Sequence, residues 1–184
     1  ARRSRKTCRF IHQKAVASLV APHLRSRKMR KVLPAELLAK DPPNIEKAMA
    51  REFAILGKTL KFKEVDWEAD FNGGSWPRLS ASRYASFYVD DFSTDAYKIH
   101  GDVKRAWEFN KHLHFVDIAS SYFRSKDQQL DRELCKQLHD WIQKHPYPIG
   151  IGWAEPLIVS QRAISWILAY NLGCLSNESE QLSM

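Results

Sequence analysis

Between residues 109 and 172 apolar side chains recur at three- and four-residue steps in three successive stretches, and that period restricts the chain to a helical fold. Phe109, Leu113, Val116, Ala119 and Phe123 form one stripe, which predicts a single helix running through them. Leu130, Leu134, Leu138 and Trp141 form a second, with Ser125 and Gln128 at capping-box spacing ahead of it and Pro146 to end it. The third runs from Pro156, favourable in a first turn, to about Leu172. It is apolar on nearly all sides (Leu157, Ile158, Val159, Ile164, Trp166, Ile167, Leu168), so neighbours should bury several of its faces. Short connections predict antiparallel helical hairpins, and no strand pattern rivals them. The expected class is all-α.

Upstream, Ile45, Ala48, Met49, Phe53 and Leu56 share one helical face, opened by Asn44 as N-cap after Asp41-Pro42-Pro43 and closed by Gly57. From 58 to 101 the period dissolves into an aromatic-rich connection holding Gly73-Gly74, Pro77, Trp67, Phe71, Trp76, Tyr84, Phe87 and Tyr88. A connection this long is functional or ordered by its own packing. Its rings either plug the core or line a cleft in which they stack on sugars.

Residues 1–44 read as a basic arm and 45–184 as the helical domain. Arg2, Arg3, Arg5, Lys6 and Arg9 crowd the start, and Arg25, Arg27, Lys28, Arg30 and Lys31 form a second cluster. Between them Ile11, Ala15 and Leu19, flanked by Val16 and Val20, predict a short amphipathic helix near 10–24. The formal charge of +8 makes polyanions the favoured partners. The clusters are either a solvated arm or a binding patch, and the lack of a recognisable reading motif argues against nucleic acid. No apolar run is long enough to cross a bilayer. The start at Ala1 leaves room for a removed upstream segment, and no signal peptide is visible, so cytoplasm and periplasm both stay open.

Cys8, Cys135 and Cys174 are far apart and read as buried or half-buried thiols. His112 and His114, two apart on a helix, would point to different faces, so no metal pair is expected. No metalloprotease, Walker, nucleophile-elbow or dinucleotide motif is present, and no cofactor is expected. Tyr122, Tyr147 and Tyr170 read as structural.

Asp102-Val-Lys-Arg-Ala-Trp-Glu-Phe-Asn-Lys-His112 is followed by the Trp141-Ile142 helix and then by Gly150-Ile-Gly-Trp-Ala-Glu-Pro-Leu-Ile-Val-Ser-Gln-Arg-Ala-Ile-Ser-Trp166. Together with Phe53 to Gly57, Asp66-Trp67 and Ser75-Trp76-Pro77, these resemble the N-terminal domain of the heparinase II/III family over roughly residues 45–172. The resemblance implies an incomplete α/α toroid, a following β-rich domain and β-elimination on acidic polysaccharides such as glycosaminoglycans or alginate. That reaction needs a neutralised uronate carboxylate, a base for the α proton and an acid for the leaving oxygen. The family's catalytic Asn or His and Tyr would be expected in helices beyond these residues, so no catalytic residue is assigned.

For binding, the resemblance points to Lys104, Trp107, Asn110, Lys111, His112, Trp153 and Arg162. Lys104, Lys111 and Arg162 suit carboxylates or sulfates. Trp107 and Trp153 offer stacking faces or serve as core anchors. Asn110 and His112 supply hydrogen bonds, with Glu108 one turn before His112 for a pair on one helix face. Arg162 is either sugar-facing or a buried charge satisfied by Glu108 or Glu155. Three departures stand out: Gly152 where the family has Asn, Ile158 where it has Glu, and Lys111 for Arg. The first removes a polar side chain from the cleft wall and the second removes a partner for Arg162.

Overall fold

A computed structural model describes residues 45–61, 64–70, 73–84 and 98–174. The expected basic arm, the helix near 10–24, the Asn44 cap, Cys8, Phe71, Phe87 and Tyr88 lie outside them.

The described chain is mostly helical. It begins with α1 (Ile45–Met49) and then departs from expectation. Instead of one helix reaching Gly57, β1 (Glu52–Ile55) and β2 (Lys58–Lys61) form an antiparallel hairpin with Phe53 opposite Leu60 and Ile55 opposite Lys58. Arg51 at φ 54 ends the helix, and Leu56 and Gly57 both take positive φ, the requirement of a tight two-residue hairpin turn. The stripe read as helical was therefore two short elements. Phe53 is its buried anchor, 4.5 Å from the His114 ring.

Among the described residues the longer helices that follow are α2 (Val103–Asn110), α3 (Leu113–Ser125), α4 (Gln128–Lys144) and α5 (Pro156–Asn171), with a 3-10 turn at Ile151–Trp153 ahead of α5. The expected single helix through Phe109 and Phe123 is broken. His112 takes a left-handed conformation (φ 56, ψ 33), so the chain turns between α2 and α3. The capping box also fails, because Ser125 is still inside α3. Asp127 caps α4, its carboxylate accepting from the Gln129 N–H at 2.9 Å. Asp102 does the same for α2. Pro156 stands in the first turn of α5, as expected.

The two-residue link Lys126-Asp127 folds α3 and α4 into an antiparallel hairpin, and α3 packs against α5 as well. Ile118, Ala119, Leu130 and Leu134 are fully buried. Helix α5 turns Ile158, Arg162, Ser165 and Ala169 inward and leaves Leu157 and Ile164 exposed, so two of its polar residues, Arg162 and Ser165, lie on the packed side. The described part of the aromatic connection packs into the core: Trp76 and Tyr84 join Val103, Ala106 and Ile151 in a cluster against which Leu79, Trp107 and Ala154 rest. The Tyr84 hydroxyl donates to the Pro77 carbonyl and accepts from the Leu79 N–H. No described helix is long and apolar enough to cross a membrane.

Candidate functional site: a pinned aromatic cluster and its half-exposed rim

The two sequence segments richest in distinctive residues meet in space. The end of α2, the 3-10 turn and the start of α5 enclose a set of indoles, each held by its own N–H. Trp141 donates to Asn110 Oδ1 at 2.8 Å, Trp166 to His112 Nδ1 at 2.8 Å, Trp153 to the His145 carbonyl at 3.0 Å and Trp67 to Asp140 at 2.8 Å. An indole has a single donor, so each ring is fixed in orientation as well as in place.

Asn110 is the central amide. It is fully buried, and its Nδ2 donates to the carbonyls of Trp67 (2.6 Å) and Ala106 (2.9 Å) while Oδ1 receives Trp141. Arg162 is almost wholly buried and stacks on two rings, 4.3 Å from Trp141 and 4.6 Å from Trp153. Its Nη1 donates to the carbonyls of Asn110 (3.1 Å) and Gly152 (2.9 Å). The expected carboxylate partners do not serve it. Glu108 pairs with Lys111, and Glu155 caps α5 through the Leu157 N–H. Backbone carbonyls and π faces do so instead, and burial pulls the guanidinium pKa down to about 9, which keeps it charged at neutral pH.

His112 is fully buried and does not face Glu108. Its Nδ1 accepts from Trp166, which places the proton on Nε2. Burial, then the positive fields of His114, Arg162 and His145, holds it well below the ordinary histidine range. The expected divergence of His112 and His114 does not occur, because they are not on one continuous helix. Their rings lie 5.9 Å apart, both buried. His114 sits in a chain of polar contacts, its Nε2 on Gln137 Oε1 (3.2 Å), Gln137 Nε2 on Glu133 (2.9 Å) and Arg51 Nε on Glu133 (2.7 Å). Burial lowers its pKa to about 3.

One buried pair has no counterpart among the residues expected from spacing. Glu68 receives His145 Nε2 at 2.7 Å and the Ile151 N–H at 3.2 Å, while His145 Nδ1 faces the Trp141 carbonyl at 3.2 Å. Both ring nitrogens lie within hydrogen-bond reach of an oxygen. The partners are 77 residues apart, and no spacing rule links them.

The seven expected site residues thus divide. Asn110, His112 and Arg162 are interior and hold the cluster together. Lys104, Trp107 and Lys111 fall on one face of α2 at three- and four-residue steps, with Lys104 exposed and the other two half-buried. Trp153 is half-buried on the 3-10 turn, against which α2 packs. Lys111 is committed to Glu108, whereas no ion pair engages Lys104 among the described residues. No group of three or more metal-binding side chains gathers among them.

The comparison with family models matches residues 12–178 to the N-terminal domain of heparinase II/III. The chain belongs to the heparinase II/III family. Among curated proteins and solved structures, no match was found. The heparinase II/III domain seen here puts its two most distinctive segments to a shared use, as the parts that lock α2 to α5 through Asn110 and Arg162. Gly152 is required by this packing. A Cβ there would stand 2.5 Å from Asn110 Oδ1, so the departure from Asn clears space for the buried amide.

Proposed function

We propose that the chain forms one wall of the substrate cleft of a lyase acting on uronate-containing polysaccharides, within an incomplete α/α toroid. The observation that carries the reading is membership of the heparinase II/III family over nearly the whole chain. The rim of the pinned cluster supports it. Lys104 is exposed and in no ion pair among the described residues, so it can meet a carboxylate or sulfate, and Trp107 and Trp153 are half-buried indoles. Asn110, His112 and Arg162 act behind that rim as a rigid backing, and Lys111 contributes through its pair with Glu108. In this reading residues 1–44 are a basic arm that adds long-range attraction for the polymer. The proton-transfer groups come from a part of the enzyme outside these residues, and a β-rich domain is its other partner.

The test is calorimetric titration of the whole chain with heparan sulfate and alginate oligosaccharides over a series of salt concentrations, with ultraviolet monitoring for unsaturated uronate. Binding that weakens with salt, without product, is the expected result. Lys104→Ala should weaken it by about two- to fivefold, the worth of one exposed charge contact. A second reading, a carbohydrate-binding domain with no part in catalysis, draws on Gly152 and Ile158, which leave Arg162 bound to main-chain carbonyls. Salt-independent binding of neutral glycans would favour it.

A further inference from the structure

Tyr147 is 62% exposed, and no other described aromatic side chain stands out as far. An exposed ring on a loop is ordinarily mobile. This one is braced: Ile149 N–H donates to the Pro146 carbonyl (2.7 Å), Ala81 N–H to the Pro148 carbonyl (2.8 Å) and Gly150 N–H to the Leu79 carbonyl (2.9 Å). Its ring stands at 86° to Trp153, with centroids 5.3 Å apart. Trp153 is itself fixed by its bond to the His145 carbonyl and by contact with Trp141 and Arg162. Two rings therefore meet at a right angle in a rigid corner, one of them largely in water.

We infer that Tyr147 and Trp153 form a stacking corner for a pyranose ring, with Tyr147 supplying the open face. The C–H face of a pyranose packs on an aromatic ring, and the phenol oxygen can exchange a hydrogen bond with a ring hydroxyl. Because both rings are already held, binding costs little ordering of the protein, which is what distinguishes a subsite from an incidental surface tyrosine. The stack itself is indifferent to charge. Which polymer occupies it rests on the proposed cleft reading, and the test separates the two.

The whole chain is titrated calorimetrically with three probes: a heparan sulfate hexasaccharide, an alginate hexasaccharide and neutral cellohexaose. Wild type is compared with Tyr147→Ala, Tyr147→Leu and Tyr147→Phe, each checked for an unchanged unfolding midpoint. Both non-aromatic variants should bind about tenfold more weakly, and Tyr147→Phe should stay within about threefold because the face remains. Unchanged affinity in the alanine and leucine variants, with an acidic probe bound, overturns the corner and leaves the cleft reading standing. Binding of cellohexaose alone, lost in those variants, keeps the corner and overturns the acidic-polymer reading. If none of the probes binds, both fall.

Discussion

Gly152→Ala adds one methyl group at a crowded point of the domain, against the buried Asn110 amide. The new Cβ would lie 2.5 Å from Asn110 Oδ1, 3.0 Å from its Cγ and 3.3 Å from Arg162 Nη1. A free amide would swing aside at little cost, but this one makes three buried hydrogen bonds, to Trp67, Ala106 and Trp141. Turning it away forfeits up to three bonds at about 1 kcal/mol each. Moving the 3-10 turn instead disturbs the Arg162 bond to the Gly152 carbonyl, and overpacking of this kind costs about 1–3 kcal/mol. Gly152→Ala should therefore cost about 2–3 kcal/mol. With Asn110→Ala already in place the two closest contacts are gone and only Arg162 Nη1 at 3.3 Å remains, so the same change should cost less than about 1 kcal/mol. Urea unfolding of the four proteins closes the cycle. If Gly152→Ala costs the same in both backgrounds within about 0.5 kcal/mol, Asn110 is not what demands the glycine and the reasoning is refuted.

Acid should destabilise the domain well above the carboxylate range. His112 and His114 both have folded pKa values below the unfolded 6.5, so the unfolded chain binds the extra protons. Stability is complete above pH 6.5 and is lost as pH falls toward about 3 for His114, by about 1.4 kcal/mol per pH unit for each ring. Thermal midpoints at pH 7.5 and 5.0 that coincide would sink this. Tyr84→Phe removes the hydroxyl that bridges Pro77 and Leu79 in a buried setting, and should lower urea stability by about 1–3 kcal/mol. A loss below about 0.5 kcal/mol would show that the loop does not depend on it.

The later helices were legible because their apolar stripes are long and end at strong signals, Pro146 and Pro156 above all. The earlier region was not. Five apolar residues at helical spacing from Ile45 to Leu56 fit a helix as well as they fit a helical turn plus a strand, and only the positive φ at Arg51 and Leu56 separates them. Residue type also marked the distinctive segments without giving their use. Asn110 and Arg162 look like ligand contacts on paper, yet the backbone carbonyls that claim them are invisible in a sequence. Glu68 and His145 were missed for the same reason, since long-range burial leaves no local trace.

The left-handed turn at His112 resets the phase of the chain. On an unbroken helix residues 110 and 112 would point about 200° apart, and one of them would face water. The elbow lets both enter the interior from consecutive helices, and it also sets the angle at which α3 presents Phe115 and Ile118 to the core. Deleting any one residue of the link would rotate every side chain of α3 by about 100° if the two helices fused. The length of this joint is therefore a harder constraint than the identity of the residue that occupies it.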